Sequence, residues 1–226
     1  MKLLIDNANI EKIRKIYEYY PIDGVTTYPS ILAKEGKNPY KVLKEIRDFI
    51  GKDAQLHVQV VSTTADEMIK EGYKIAKVLG KNTYIKIPTI PEGLKAIKKL
   101  TNEGYRVTAT AIYTPIQGYL AAKAGADYAA PYVNRINNLG INGIEVTRKM
   151  FDIFKNNGLK TQILAASFKN SLQVLELCEH GVGVCTVAPE IIDGFIKNAS
   201  VSSAIDTFIN DFEKAFGKNK TMFNCE

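Results

Sequence analysis

With three cysteines and two histidines in 226 residues, the chain is poor in the side chains that build disulfide frameworks and metal centres. Cys178, Cys185 and Cys225 cannot all pair with one another and lack metal-ligand spacing, so a reducing compartment is the simpler setting. His57 and His180 are too few for a histidine-built metal site, and neither a metal nor a cofactor is expected. No apolar run reaches membrane-spanning length, and no targeting segment precedes the first apolar residues; the expectation is a soluble cytoplasmic protein without a membrane partner. The 30 lysines and arginines exceed the 24 acids by six, but they are dispersed rather than interleaved with aromatics in one block. That argues against a nucleic-acid groove. A glycine-rich fingerprint is also missing after the first strand, where an open dinucleotide-binding sheet would carry one.

What the chain does have is a regular alternation of short apolar strands with amphipathic helices. Strands are expected at 3–5, 24–28, 56–60, around Lys86, and at 106–112, 127–130, 161–166 and 183–186. Asn9 and the pair Asn38-Pro39 read as helix starts, with a stop near Gly51. Thr63 and Thr64 can each form a capping box with the acid three residues on. Thr89 and Pro91 open the next helix, Pro115 another, and Pro189 a later one. Residues 134–142 read as a polar loop containing Arg135, and Val174, Leu175 and Cys178 as the inward face of a helix. His57 reads as an outward strand residue.

Eight strands alternating with helices fit an α/β fold of the (β/α)8 TIM-barrel type better than an open sheet, since closure leaves no edge to protect. The whole of 1–226 is expected to form one domain. An added terminal helix at 202–217 carries Ala204, Ile205, Phe208, Ile209, Phe212, Ala215 and Phe216, enough apolar surface to cover the barrel or a neighbouring subunit.

In such a barrel, chemistry gathers at the C-terminal ends of the strands. Those ends offer Asp6, Thr26, Gln59, Lys86, Thr110, Tyr132 and Ser167. Lys86 interrupts the apolar run Tyr84-Ile85-Lys86-Ile87-Pro88-Thr89, and a lysine buried along the barrel axis is a candidate Schiff-base nucleophile; a solvated strand face is the alternative. A neutral amine there would attack a ketose carbonyl, and the resulting iminium would accept the electrons of a breaking carbon–carbon bond. Asp6 or Tyr132, directly or through a water held by Gln59 and Thr110, would carry the protons. Arg135, Ser167 and Lys169 would meet the far end of a sugar phosphate, although Lys169 taken alone fits a solvated face equally well.

The motifs Leu4-Ile5-Asp6, Gly24-Val25-Thr26-Thr27, Lys86-Ile87-Pro88-Thr89, residues 128–135 and Ala165-Ala166-Ser167-Phe168-Lys169 together resemble the small bacterial transaldolase family, closest to its fructose-6-phosphate aldolase branch. The resemblance covers essentially the full length. It implies a (β/α)8 barrel with Lys86 as the Schiff-base residue, Asp6 in proton handling, Gln59, Thr110 and Tyr132 around a catalytic water, and Arg135 and Ser167 toward phosphate. Small sugar phosphates are the implied partners, and a homo-oligomer, pentamer or decamer, the implied assembly. Tyr132 resembles the aldolase branch, where a phenolic hydroxyl stands in place of a phenyl ring. Fructose 6-phosphate cleavage to dihydroxyacetone and glyceraldehyde 3-phosphate is therefore the first expectation, transfer of the three-carbon unit between sugar phosphates the second, and a non-catalytic sugar-phosphate barrel the third. A metal-dependent aldolase is disfavoured for want of histidines. One position departs from the family's pattern: Tyr28 stands before Pro29 where asparagine is usual. Tyrosine fills more volume and lacks the amide's paired donor and acceptor, which implies altered donor specificity.

Overall fold

The five residues Gln55, Leu56, His57, Val58 and Gln59 show how this chain builds a sheet. Successive side chains of a strand point to opposite faces. Leu56 and Val58 belong to the large apolar cluster that includes helix residues such as Met68 and Ile46, whereas His57 contacts Tyr84 and Thr108 on the other face. The same alternation recurs around the sheet, interrupted in the fifth strand by a register shift between Ala109 and Ile112, so one set of side chains seals the sheet against helices and the other fills the interior.

The computed structural model describes residues 1–80 and 82–225 and separates into two units, 1–192 and 193–226. In the first, the order is β1 (Lys2–Asp6), α1 (Ile10–Tyr19), β2 (Gly24–Thr26), α2 (Pro29–Lys34), α3 (Pro39–Ile50), β3 (Gln55–Gln59), α4 (Ala65–Leu79) and β4 (Thr83–Pro88). There follow α5 (Pro91–Asn102), β5 (Val107–Ile112), α6 (Pro115–Lys123), β6 (Tyr128–Pro131), α7 (Val133–Asn137) and α8 (Gly143–Asn156). The elements β7 (Gln162–Ala165), α9 (Ser171–Glu179) and β8 (Val184–Val187) complete it, and α10 (Pro189–Gly194) spans the division at residue 192. All eight strands are parallel, each beside its sequence neighbours, and β8 pairs with β1 through Leu3↔Cys185 and Leu4↔Thr186 to close the barrel. This is the expected (β/α)8 TIM barrel.

Helix ends follow local chemistry. The Asn9 side chain accepts from the Lys12 amide, and Asn38 from those of Tyr40 and Lys41, which satisfies amide hydrogens that no helical carbonyl can reach. At Thr64 the expected capping box does not form: its hydroxyl donates to Glu67, and Glu92 of α5 accepts the Ala65 amide instead, at 2.8 Å. The start of α5 likewise differs, with Ile90 as its cap residue, because the Thr89 hydroxyl is engaged by the Thr110 carbonyl at 3.0 Å. Gly93 lets α5 lie close on the strand that carries Lys86; a methyl group there would collide with the Pro88 carbonyl.

Four further readings are corrected. Residues 29–34 and 133–137 are short helices, so Arg135 stands on α7 rather than in a loop. In α9 the buried apolar residues are Val174 and Leu177, while Leu175 and Cys178 are exposed. His57 is fully buried inside the barrel, not outward. Its Nε2 lies 3.2 Å from Gln55 Oε1 and its Nδ1 2.9 Å from the Thr108 hydroxyl, while Gln55 Nε2 donates to the Tyr128 hydroxyl at 3.0 Å. Since the Gln55 oxygen can only accept, Nε2 carries the proton and Nδ1 accepts from Thr108. The ring stacks on Tyr84 with centroids 4.5 Å apart, and burial holds the imidazole's pKa well below its ordinary value.

In the second unit, α11 (Ala199–Phe216) begins three residues before the expected 202. Asn198 caps it by accepting from the Ser200 amide. It bears Ile205, Phe208 and Ile209, and none of its residues is buried. Among the described residues no helix is long and apolar enough to cross a membrane.

Candidate active site

Lys86 sits one inward position from the end of β4, where alternation turns it to the barrel axis, and only 5% of it is exposed. Its ammonium nitrogen donates to the Thr27 carbonyl at 3.0 Å and lies 5.8 Å from the centre of the Tyr28 ring. Burial pushes the amine's pKa down from its ordinary value; the Asp6 carboxylate opposes that shift and Arg135 adds to it. Asp6, at the end of β1, is affected in the opposite sense. Burial raises its pKa, against the pull of Lys86, the Thr26 hydrogen bond and Arg135. The lowered value makes the uncharged, nucleophilic amine more accessible, and the raised one makes the carboxylate a stronger base for a departing proton.

Hydroxyls order this acid. Thr26 Oγ1 donates to Asp6 Oδ1 at 2.7 Å, so the 2.7 Å contact between Thr26 and Thr186 has Thr186 as donor. The chain Thr186 to Thr26 to Asp6 thus joins β8, β2 and β1. Thr186 had no signal in the sequence beyond being a threonine near a strand end, and the Thr27 carbonyl had none.

Across the mouth, the Tyr132 hydroxyl and Thr110 Oγ1 are 2.8 Å apart. Burial raises the Tyr132 pKa, opposed by the bond to Thr110 and the nearby Arg135, whose guanidinium lies 4.7 Å over the Tyr132 ring. Gln59 pairs in register with Lys86, and its Oε1 is a buried acceptor without a hydrogen-bond partner. Tyr28 is held extended (φ −151°) by Pro29 behind it, and its phenol pKa is raised first by burial and then by Asp6.

The structure therefore gathers Asp6, Thr26, Tyr28, Gln59, Lys86, Thr110, Tyr132 and Arg135 at one end of the barrel. Ser167 follows β7 with φ 61°, and its carbonyl accepts from the Asn134 amide at 2.7 Å, next to Arg135. Lys169 is different. It is exposed, its backbone amide donates to Gln173, and among the described residues its ammonium makes no ion pair.

The barrel itself is widely shared: a magnesium-bound racemase from Streptomyces coelicolor A3(2) superposes with a TM-score of 0.55 at 15% identity, over 83% of this chain and 52% of the racemase. This chain spans about half the length of that protein, and the likeness is one of fold. Sequence relatives define the class more narrowly, as an enzyme of the class I aldolase/transaldolase type. The chain belongs to the transaldolase/fructose-6-phosphate aldolase family, whose model matches residues 3–224. A probable transaldolase of Clostridium botulinum (strain Langeland) is 41% identical over 220 residues, 97% of this chain and 100% of the relative. One of Thermodesulfovibrio yellowstonii is 40% identical over 214 residues, 95% and 99% of the two chains.

Proposed function

We propose that this protein is a Schiff-base aldolase that reversibly cleaves fructose 6-phosphate into dihydroxyacetone and glyceraldehyde 3-phosphate, with Lys86 as nucleophile. The observation that supports it most is a buried amine with a depressed pKa set against a buried acid with a raised one. The neutral Lys86 amine adds to the C2 carbonyl, and loss of water from the carbinolamine gives the iminium. The C3–C4 bond then breaks, its electron pair moves into the iminium to form an enamine, and the C4 hydroxyl gives up its proton as the aldehyde leaves. Asp6 takes that proton and returns one to C3. Tyr132, Thr110 and Gln59 hold the water that leaves in imine formation and re-enters in hydrolysis. Arg135 and the Ser167 hydroxyl bind phosphate, with Lys169 contributing at most from the rim.

Transfer of the same three-carbon unit to an aldose phosphate is the second reading, favoured by the naming of relatives as probable transaldolases. The Tyr132 hydroxyl favours cleavage, because a phenol can relay the proton and water that hydrolysis needs. Tyr28 shifts donor preference toward a smaller or less hydroxylated carbonyl compound. The exposed apolar residues of α11 suit a homo-oligomer, pentamer or decamer, which light scattering would count.

The direct test is borohydride reduction with fructose 6-phosphate or dihydroxyacetone, then intact mass and peptide mapping. A reduced adduct on Lys86, absent from Lys86→Ala, supports the reading; no adduct with any of a wider carbonyl panel removes it. Product analysis with and without erythrose 4-phosphate separates the two activities, since strict dependence on the acceptor means transfer. Tyr28→Asn should raise fructose 6-phosphate turnover, and no gain would refute the role given to Tyr28.

A further inference from the structure

Strand β8 brings one hydroxyl into the interior. Val184 belongs to the inner apolar cluster with Leu4, whereas Cys185 and Val187 pack in the cluster against the helices, so alternation turns Thr186 inward. Thr186 is buried and pairs in register with Leu4, one inward position below Asp6 on β1, while Thr26 pairs with Asp6 itself from the other side. The two threonine hydroxyls are 2.7 Å apart. Each has a single proton. Thr26 commits its own to Asp6 Oδ1 at 2.7 Å, so the proton between the threonines comes from Thr186. Being fully buried, with that proton already placed, Thr26 has none to donate to a substrate hydroxyl. Among the described residues no other hydrogen bond reaches the Asp6 side chain, and Lys86 makes no ion pair with it.

We infer that Thr26 and Thr186 are positioning residues for Asp6: a brace of two hydroxyls in series that holds Oδ1, leaves Oδ2 as the oxygen that exchanges protons with the substrate, and touches no substrate itself. The inference rests on the aldolase reading above. A carboxylate turns freely about its last torsion, and a bond to one of its oxygens is what fixes the direction of the other. Thr26 has two acceptors at 2.7 Å, and its proton points to Asp6 only while Thr186 acts as donor. That donation also polarises the Thr26 hydroxyl and strengthens the bond it makes to the carboxylate. Threonines suit the task, because branching at Cβ leaves each hydroxyl few directions to take. A methyl group in place of the Thr186 hydroxyl could not approach the Thr26 oxygen so closely, and Thr26 would have to give way.

The test isolates the proton transfer by using dihydroxyacetone alone in deuterated water. On the Lys86 iminium, Asp6 takes a proton from C3, the electron pair of that C–H bond forms the enamine, and a deuteron returned from Asp6 leaves a C–D bond that proton NMR counts. Borohydride trapping measures adduct formation separately. At saturating dihydroxyacetone, Thr26→Val should slow exchange about tenfold, and Thr186→Val about fivefold. The concentration that half-saturates the trapped adduct should stay at the wild-type value in both. Thr186→Ala, with no methyl group to press on Thr26, should match Thr186→Val, and Thr186→Ser should restore most of the exchange rate. Because Thr186 acts through Thr26, the double variant should exchange no more slowly than Thr26→Val. Wild-type protein that forms no reducible Lys86 adduct would overturn the aldolase reading and this inference with it. Given the adduct in wild type, three results would overturn the brace alone: wild-type exchange in the single variants, adduct formation that weakens in step with exchange, or losses that multiply in the double variant.

Discussion

Two polar layers lie one above the other inside the same barrel. The lower, made of Gln55, His57, Thr108 and Tyr128, is neutral and closed: each group described there finds a partner, and the imidazole is kept uncharged. The upper contains Lys86 and Asp6, groups of opposite charge driven toward neutrality, and a buried Gln59 oxygen with its acceptor capacity unused. Burial of polar side chains is common to both. What distinguishes the upper layer is ionisable groups with opposed shifts and an acceptor left open for something other than protein.

Substitutions in the two layers should accordingly separate activity from stability. The largest effect belongs to Lys86→Ala, which should cut turnover by at least about a thousandfold and abolish borohydride trapping. Tyr132→Phe leaves the ring under Arg135 but takes the hydroxyl from Thr110; steady-state assays should show about a hundredfold loss in kcat. With Asp6→Asn, turnover at neutral pH should likewise fall about a hundredfold. The Asp6 charge raises the Lys86 pKa, so its removal lets that value fall further, and the acid limb of the pH–rate profile should move to lower pH. A limb moving upward would contradict the coupling. His57→Phe should alter activity least, within about threefold, while leaving Gln55 and Thr108 short of a partner at a cost of about 1–3 kcal/mol. The folded-state pKa of His57 lies below 6.5, so its stabilising contribution is present above that pH and is lost as pH falls through the folded value. Urea unfolding across pH should therefore show the variant and wild type converging as the solution becomes acidic.

The barrel could be read from the chain because its signals are local and repeated: eight short apolar strands, helix caps at Asn9 and Asn38, and prolines at helix starts. The terminal helix was visible for the same reason. The helices α2 and α7, of six and five residues, are too short to display a helical period. The face of α9 was misplaced because Leu175 and Cys178 are apolar residues that nonetheless face outward. His57 was misread because a barrel has a second, enclosed face on which a polar residue can be fully buried, and alternation cannot say which face is which. The gathered side chains were nameable from strand ends, but Tyr113, whose ring meets that of Tyr132 edge-on just past the register shift in β5, was not. A bulge reverses the phase of everything after it, and nothing about an alanine announces φ 57°. Lys169, beside a strand end, stands in solvent, as the solvated-face alternative for it had it.

The hydroxyl contact between Thr26 and Thr186 joins positions 160 residues apart in the chain. During synthesis Lys86, Asp6 and Tyr132 all emerge well before β8 does, yet the donor that completes the acid's hydrogen-bond chain is on that last strand. The pairing of β8 with β1 that closes the barrel therefore also supplies the last member of the acid's hydrogen-bond chain, through contacts of very high sequence separation. A nascent chain that stops short of β8 holds every proposed reactive group but leaves β1 as an open edge beside Asp6.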